Sequence, residues 1–223
     1  MLKLLLHILI SFPKTLYFNF ICFPFCTAIR LPVLISYRVY LKNLHRGCIV
    51  IEGNPKFGFM KFGFGNGSFN MSKKSSSYLN IGKEGAIVLK GSISISNGSI
   101  INVSKGRIIF GENFISNANL KISCEKGISF GKNVLIGWNC TFIDGDGHNI
   151  LDNYGSKINH SEEINIGNNV WFCAEATIFK GTVIPDNSVV SYGSNIYNKF
   201  SDNNCIIGGN PAKVLKRNIN WEI

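Results

Sequence analysis

The stretch from Ile164 to Ile196, INIGNNVWFCAEATIFKGTVIPDNSVVSYGSNI, repeats with a period of six residues. Two rows of residues keep this period: a large apolar row and, two positions earlier, a row of mostly small or β-branched residues. The rows are Ile166, Phe172, Ile178, Ile184, Val190, Ile196 and Ile164, Val170, Ala176, Thr182, Ser188, Ser194. A helix face recurs every 3.6 residues and a strand face every 2, so neither produces this period. Six-residue repeats predict a parallel β-helix, in which short strands and tight corners wind around an apolar interior.

The repeat resembles that of the hexapeptide-repeat acyltransferases. Two segments, INIGNNVW at 164–171 and GGNPAKV at 208–214, are similar to the sugar O-acetyltransferase branch of that family. The resemblance implies an all-β fold, a left-handed parallel β-helix of triangular cross-section with three hexapeptides per coil. It also implies acetyl-CoA as acyl donor and a homotrimer. A purely structural solenoid without catalytic activity is the alternative interpretation.

Composition fits one folded domain with an appendage. The 223 residues are 45% hydrophobic and 16% charged, which excludes a disordered chain. The seven cysteines are an odd number without a CxxC pair. Because a secreted disulfide framework has an even number of cysteines, this count predicts reduced thiols and a cytoplasmic protein.

Two groups of basic residues lie near the two ends of the chain. The formal net charge is +10, and the first acidic residue is Glu52. Such charge suits anionic lipid, phosphate or nucleic acid, but no nucleic-acid-binding motif is present, so we expect no nucleic-acid partner. The basic groups are Lys3, Lys14, Arg30, Arg38, Lys42, Arg46 near the start and Lys199, Lys213, Lys216, Arg217 near the end.

The chain divides into an apolar basic segment, 1–46, and a β-helix domain, 47–223, because the β rhythm begins at Gly47. The apolar run at the start is too short to cross a bilayer, and Pro24 and Pro32 interrupt the next one. Two compatible interpretations of 1–46 are open: an interfacial segment on an anionic membrane, or a helical cap on the first coil. The first would make the protein peripheral on the inner face of the cell membrane.

The repeat is interrupted over residues 143–163, which contain Asp144, Asp146 and His148. Loops on a rigid scaffold are frequent sites of chemistry, so we predict a catalytic loop here. Transfer of an acetyl group to a hydroxyl requires a base, and histidine accepts a proton near neutrality. The Asp-x-Asp-x-His arrangement is similar to the catalytic loop of capsule and lipopolysaccharide O-acetyltransferases, which makes His148 the general base. Asp146 or Asp144 is expected either to orient His148 or to form turns.

Three further side chains are expected near the substrates. Asn117 matches the family position opposite the catalytic histidine, where it would bind the acceptor hydroxyl or the oxyanion; a coil-corner role is equally open. Trp171 matches a family tryptophan near the pantetheine arm and the acceptor, and Trp138 is a weaker candidate of the same kind. An aromatic face suits the C–H surface of a sugar.

The resemblance also predicts where coenzyme A binds. Cys173, Ala174, Ser191 and Tyr192 would line the groove for the pantetheine arm, and small side chains let it lie close. By the family match, Lys213 and Lys216 would bind the phosphate groups of coenzyme A. Lys199 is displaced by one position from the family's Thr-Lys pair, which weakens its assignment to the same role.

The sequence therefore predicts an acetyl-CoA-dependent O-acetyltransferase acting on a sugar of a bacterial-type surface glycan, such as capsule, O-antigen or a lipid-linked precursor. N-acetylation of an amino-sugar nucleotide is the nearest alternative. No metal is expected, because zinc in left-handed β-helix enzymes needs three histidines and the repeat region offers only His148 and His160.

Overall fold

The computed structural model describes residues 2–65 and 75–222, with the backbone alone for residues 2–5. Within these residues the chain forms an N-terminal helix, α1 (Leu2–Cys22), a short helix, α2 (Phe25–Ala28), and then strands only. The strands stack in parallel as a left-handed β-helix, which confirms the predicted fold class.

Each coil of the β-helix contributes one strand to each of three faces. The first face contains β1 (Val33–Ile35), β4 (Met60–Phe62), β6 (Ile93–Ile95), β8 (Phe114–Ser116), β11 (Leu135–Ile136), β14 (Trp171–Phe172), β17 (Val189–Val190), β19 (Cys205–Gly209) and the antiparallel β20 (Ala212–Arg217). The second face contains β2 (Val39–Lys42), β9 (Lys121–Cys124), β12 (Thr141–Ile143), β15 (Thr177–Phe179) and β18 (Asn195–Ile196). The third face contains β3 (Ile49–Ile51), β10 (Gly127–Phe130), β13 (Ile164–Ile166) and β16 (Val183–Ile184). Two long strands, β5 (Ser77–Leu89) and β7 (Ile100–Phe110), bend through a corner and serve the second and third faces.

The strand register shows that one coil of the regular region is three hexapeptides long. Asn165 pairs with Val183, Trp171 with Val189 and Thr177 with Asn195, an advance of 18 residues each time. Earlier coils are longer: Val33 pairs with Met60 and Met60 with Ile93, advances of 27 and 33 residues. All six residues of the large apolar row are buried, and those of the second row are fully buried.

The hydroxyl groups in the second row, the one of small or β-branched residues, donate hydrogen bonds to backbone carbonyls. Thr182 Oγ1 donates to the Ile196 carbonyl at 3.0 Å, and Ser194 Oγ donates to the Ser191 carbonyl at 2.8 Å. A hydroxyl that bonds locally to a carbonyl is tolerated inside an apolar core. These positions therefore need a small side chain more than an apolar one.

Glycines form a column where the third face turns into the first. A methyl group on Gly111 would collide with the carbonyl of Gly131, and one on Gly131 would collide with the carbonyl of Gly167. Successive coils therefore approach each other more closely here than a side chain allows.

Helix α1 caps the open edge of β1, which is the first strand of the first face. Thr15 Oγ1 accepts from the Ile35 amide at 3.0 Å. Asn19 accepts from the Val33 amide at 3.2 Å and donates to the Val33 carbonyl at 2.7 Å. The helix side chains thus take the place of a neighbouring strand, and they cover an edge that would otherwise be open for aggregation.

Among the residues that the structure describes, none of the helices combines the length and the apolar character needed to cross a bilayer. Five of the seven cysteines are buried; Cys173 is partly exposed and Cys26 is exposed. The division at residues 46 and 47 stays a prediction, and residues 66–74 and Ile223 of the β-helix domain lie outside the described chain.

We predict that Asn19→Ala lowers the free energy of unfolding by about 1–3 kcal/mol, because it leaves the buried Val33 amide and carbonyl without partners. Urea unfolding measures this difference. Leu9→Ala on the exposed side of the same helix is the control, with an expected effect within about 0.5 kcal/mol. Equal effects of the two substitutions would contradict a capping role for Asn19.

Candidate functional site

The interrupting segment is a loop, residues 144–163, between β12 on the second face and β13 on the third. It therefore leaves the solenoid at the corner that joins these two faces. Leu151 and Lys157 form an isolated antiparallel bridge inside the loop, and Asp152 Oδ1 accepts the amides of Tyr154 and Ser156. The loop is thus folded by its own hydrogen bonds.

Asp144 fastens the start of the loop to the solenoid. Its side chain is fully buried, and its two oxygens accept the backbone amides of Glu125, Lys126 and Gly127 at 2.7, 2.8 and 2.7 Å. Several amides converging on one carboxylate form a strong anion site. Both oxygens serve the turn between β9 and β10, which corresponds to the turn-forming alternative; a catalytic role for Asp144 stays a prediction.

Asp146 is held by neighbours other than His148. Its Oδ2 accepts from Lys180 Nζ at 2.5 Å and from Asn159 Nδ2 at 2.8 Å. These hydrogen bonds, that of Lys180 above all, hold the pKa of the Asp146 carboxyl below its usual range. The contacts that the structure gives Asp146 therefore support a role in fixing the loop rather than direct orientation of the imidazole.

His148 is exposed, and its main chain is held on both sides by Asn159. Asn159 Nδ2 donates to the His148 carbonyl at 2.7 Å, and Asn159 Oδ1 accepts from the Ile150 amide at 2.7 Å. Asn159 is almost fully buried. This clamp presents the imidazole at the surface of an ordered loop. Sequence reasoning missed both Asn159 and Lys180, because a loop asparagine and a lysine after a strand have no distinguishing pattern.

A cleft of about 500 Å³ lies at another corner, where the first face turns into the second. Its walls are mostly apolar, and six residues predicted for substrates or coenzyme A meet there. The lining residues are Asn117, Gly137, Trp138, Trp171, Cys173, Ala174 and Tyr192. Ser191 lies at the same corner and hydrogen-bonds Ser194 Oγ at 3.0 Å.

A third tryptophan, which sequence reasoning missed, packs beside the cleft. The ring centroids of Trp221 and Trp171 are 6.0 Å apart, and Trp221 Nε1 donates to the Asn169 carbonyl at 2.8 Å. The tail of the chain thereby supports Trp171, which is 37% exposed. Burial raises the pKa of the half-buried Cys173 thiol in the same cleft.

The predicted lysines do not line this cleft. Lys199 lies in a separate groove beside Lys126 and Glu162, and its backbone pairs with Val183 on the third face. Its assignment to coenzyme A stays a prediction. Lys213 and Lys216 lie exposed on β20 at the far end of the first face.

His148 and the cleft belong to different corners of the triangle, separated by the second face. The loop leaves between the second and third faces, whereas the cleft lies between the first and second. One chain therefore carries a candidate base and a candidate substrate cleft without bringing them together. Within residues 2–65 and 75–222, no group of three or more His, Cys, Asp and Glu side chains is arranged to hold a metal ion.

Comparisons with known proteins found similar sequences among sugar acetyltransferases, whereas no family model matches. An uncharacterized 24.8 kDa protein in the cps region of Klebsiella pneumoniae is 30% identical over 154 residues, 69% of this chain and 67% of that protein. Galactoside O-acetyltransferase of Escherichia coli K12 is 39% identical over 112 residues, 49% of this chain and 53% of that enzyme. Polysialic acid O-acetyltransferase of Escherichia coli O1:K1 is 32% identical over 126 residues, 56% of this chain and 41% of that enzyme. The chain thus spans about half the length of the galactoside enzyme and less of the polysialic acid enzyme.

The structural comparison agrees on the fold. The crystal structure of the polySia-specific acetyltransferase NeuO superposes with a TM-score of 0.57 over 86% of this chain and 89% of NeuO, at 22% sequence identity. At this identity the likeness shows a shared β-helix fold alone.

We predict that Asp144→Asn lowers the free energy of unfolding by about 1–3 kcal/mol, because the amide nitrogen of Asn cannot accept from backbone amides. Asp152→Asn is the matched control, since its two amides bond to one oxygen that Asn retains. Urea unfolding of both variants tests this. An Asp144→Asn protein as stable as Asp152→Asn would remove the anchoring role.

Proposed function

We propose that this chain, which belongs to the hexapeptide-repeat acyltransferase family, transfers an acetyl group from acetyl-CoA to a sugar hydroxyl of a surface glycan. The observation that carries the proposal is the pairing of an exposed His148 on a braced loop with an aromatic cleft at a neighbouring corner. Relatives acting on a galactoside and on polysialic acid support a carbohydrate acceptor, and the relative in a cps region supports a surface glycan.

In the proposed reaction the acceptor oxygen attacks the acetyl carbonyl carbon directly. The new C–O bond forms, the C–S bond of the thioester breaks, and the hydroxyl proton passes to His148 Nε2 or Nδ1. His148 then returns this proton to the departing thiolate or to solvent. A donor such as the Asn117 amide would stabilise the negative charge that develops on the acetyl oxygen.

The cleft fits the shape of the acyl donor. The small side chains of Cys173 and Ala174 leave room for a thin pantetheine arm, and Trp171 and Trp138 offer flat apolar surfaces. Lys213 and Lys216 are exposed cations on the same face, suited to phosphate groups. When bound, acetyl-CoA supplies the activated acetyl group.

We propose that the active enzyme is a homotrimer, because the base and the cleft lie at different corners of one chain. In a ring of parallel solenoids, packing the first face of one copy on the third face of the next brings its cleft corner to that neighbour's loop corner. Outward apolar side chains on these two faces support this packing, whereas the outward row of the second face is polar from β9 to β18. Examples are Ile115, Leu135 and Ile206 on the first face and Val50, Ile109 and Val183 on the third. The outward row of the second face consists of Tyr40, Tyr78, Ile100, Lys121, Thr141, Thr177 and Asn195.

We also propose that residues 1–46 bring the enzyme to an anionic membrane surface. The segment contains six Lys and Arg residues and no carboxylate. Each cation near an anionic bilayer adds about 1 kcal/mol of attraction. Such a location would bring the site close to glycans that are carried on membrane lipids.

We predict that His148→Ala lowers kcat by roughly 10²–10⁴, the usual worth of a positioned general base, and leaves binding of acetyl-CoA unchanged. Turnover can be followed by release of coenzyme A, with the product identified by mass spectrometry, which also separates O- from N-acetylation. His160→Ala, an exposed histidine in the same loop, is the control and should retain activity.

Near-normal turnover of His148→Ala would exclude the mechanism, and equal loss in His160→Ala would assign the effect to the loop rather than to the base. Asp146→Asn should lower kcat less than His148→Ala does, because an Asn oxygen can still accept hydrogen bonds from Lys180 and Asn159.

We predict that mixed trimers of His148→Ala and Trp171→Ala subunits recover activity that neither variant shows alone. After random assembly of equal amounts, about a quarter of the sites combine an intact loop with an intact cleft. Activity is measured on trimers whose mixed composition is verified by mass spectrometry.

Each variant taken alone through the same dissociation and reassembly is the control. No recovery in verified mixed trimers would mean that His148 and Trp171 act within one subunit. A monomer by light scattering would reject the arrangement altogether.

A further inference from the structure

Helix α1 has an inverted amphipathic pattern. Its polar stripe of Ser11, Thr15 and Asn19 is buried against β1, whereas a stripe without a charged residue faces solvent. A helix on a protein surface normally shows the reverse arrangement. The solvent-facing stripe is Leu6, Leu9, Ile10, Pro13, Tyr17 and Phe20, and its five large side chains other than proline are 42–61% exposed.

The apolar surface continues onto α2 and the residue after it. Phe25 is 70% exposed and Ile29 is 56% exposed, and the Phe20 and Phe25 rings lie 5.9 Å apart. Continuous apolar patches of this kind mark surfaces that contact a partner or a membrane.

The charge of this region indicates that the apolar stripe contacts an anionic lipid surface. Lys14 lies on α1 and Arg30 lies two residues after the end of α2, and no Asp or Glu occurs before Glu52. A second copy of the same basic surface would be repelled, whereas an anionic bilayer attracts it. Since α1 lacks the features of a spanning helix, it would lie in the plane of the interface with its apolar stripe inserted.

The position of α1 also orients the β-helix. Because α1 covers the open edge of β1, its exposed stripe points along the solenoid axis and away from the coils. Four steps along the first face, β1 to β4, β6, β8 and β11, separate this end from the coil that carries the loop. At about 4.8 Å per step, with a helix about 10 Å thick, the loop lies about 30 Å above the stripe.

We infer that the enzyme stands upright on an anionic membrane on the stripe of α1 and α2, and holds its active loop about 30 Å above the lipid. This inference rests on the proposed function for its acceptor, which it narrows to a membrane-tethered glycan at a sugar several units away from the lipid. In the proposed trimer, three stripes lie at the same end, and their simultaneous contact strengthens weak individual binding.

The first test compares sedimentation with vesicles of phosphatidylcholine, with and without phosphatidylglycerol. Leu9→Glu combined with Tyr17→Glu should lower binding to the anionic vesicles at least about tenfold, because both side chains would insert. Ile100→Glu combined with Leu215→Glu, at exposed apolar side chains outside the helices, adds the same charge and should reduce binding much less. Leu9→Ser combined with Tyr17→Ser repeats the test without added charge, and thermal unfolding without lipid verifies that each variant is folded.

Unchanged binding of the two stripe variants, or an equal loss in the control, would overturn the docking surface. Binding that does not depend on phosphatidylglycerol would overturn the choice of an anionic surface.

The second test measures orientation without an acceptor. Cys26 in α2 is exposed, whereas the pKa of the half-buried Cys173 is raised, so a maleimide fluorophore labels Cys26 preferentially. Spin-labelled lipids in the vesicles should quench this fluorophore and leave the emission of Trp138, Trp171 and Trp221 unchanged, since all three tryptophans lie at or beside the distant cleft. Quenched tryptophans would show that the solenoid lies on its side and would overturn the upright orientation.

The two proposals fail separately. Retained acetyl transfer to a soluble oligosaccharide with no vesicle binding would reject the membrane contact and leave the proposed acetyl transfer standing. Intact upright binding without acetyl transfer to any glycan acceptor would reject the proposed function alone.

Discussion

Parallel hydrogen bonding between successive coils is the constraint on which the structure depends. A coil closes only when its strands meet those of the next coil in register, which the regular region achieves by advancing 18 residues. Each inward position is therefore stacked on the same position of its neighbours, and the close approach at Gly131 recurs at Gly167. The stack leaves unpaired backbone at its first strand, and side chains of α1 satisfy those groups. The helix at the start of the chain is thus a consequence of the solenoid's open end.

The same geometry distributes the candidate chemistry over the surface. A triangular coil has three corners, and an inserted loop or a cleft occupies one corner without reaching another. His148 lies on the loop corner and Trp171 beside the cleft corner, so rigidity within one chain prevents their meeting. In the proposed trimer a second copy would bring the two corners together without any conformational change, because parallel solenoids present different corners to each other. The loop needs its own support for this purpose, and the buried Asp144 and Asn159 provide it.

The sequence predicted the fold because the six-residue period records inward-facing positions directly, and both rows are buried as expected. Six of the seven residues that line the cleft were among its candidates, because the family motifs recur with the coil period; their roles stay predictions. The sequence could not decide between the two roles left open for Asp144, whose partners are backbone amides about 18 residues earlier in the chain. It missed Asn159, Lys180 and Trp221, since each acts through a contact with a residue distant in sequence, which no local pattern predicts.

By itself, the sequence determined the period, the inward rows, the position of the interruption and the excess of cations in the first 46 residues. These are local properties, because each depends on spacing or composition along the chain. Only the tertiary structure decided that the carboxylates of the loop bind amides and Lys180 rather than His148. Only the tertiary structure decided, too, that α1 turns its polar stripe inward and its apolar stripe outward. The physical reason is that buried backbone groups at the edge of β1 are costly in free energy without hydrogen-bond partners. This cost exceeds the gain from burying the apolar side chains of α1 instead.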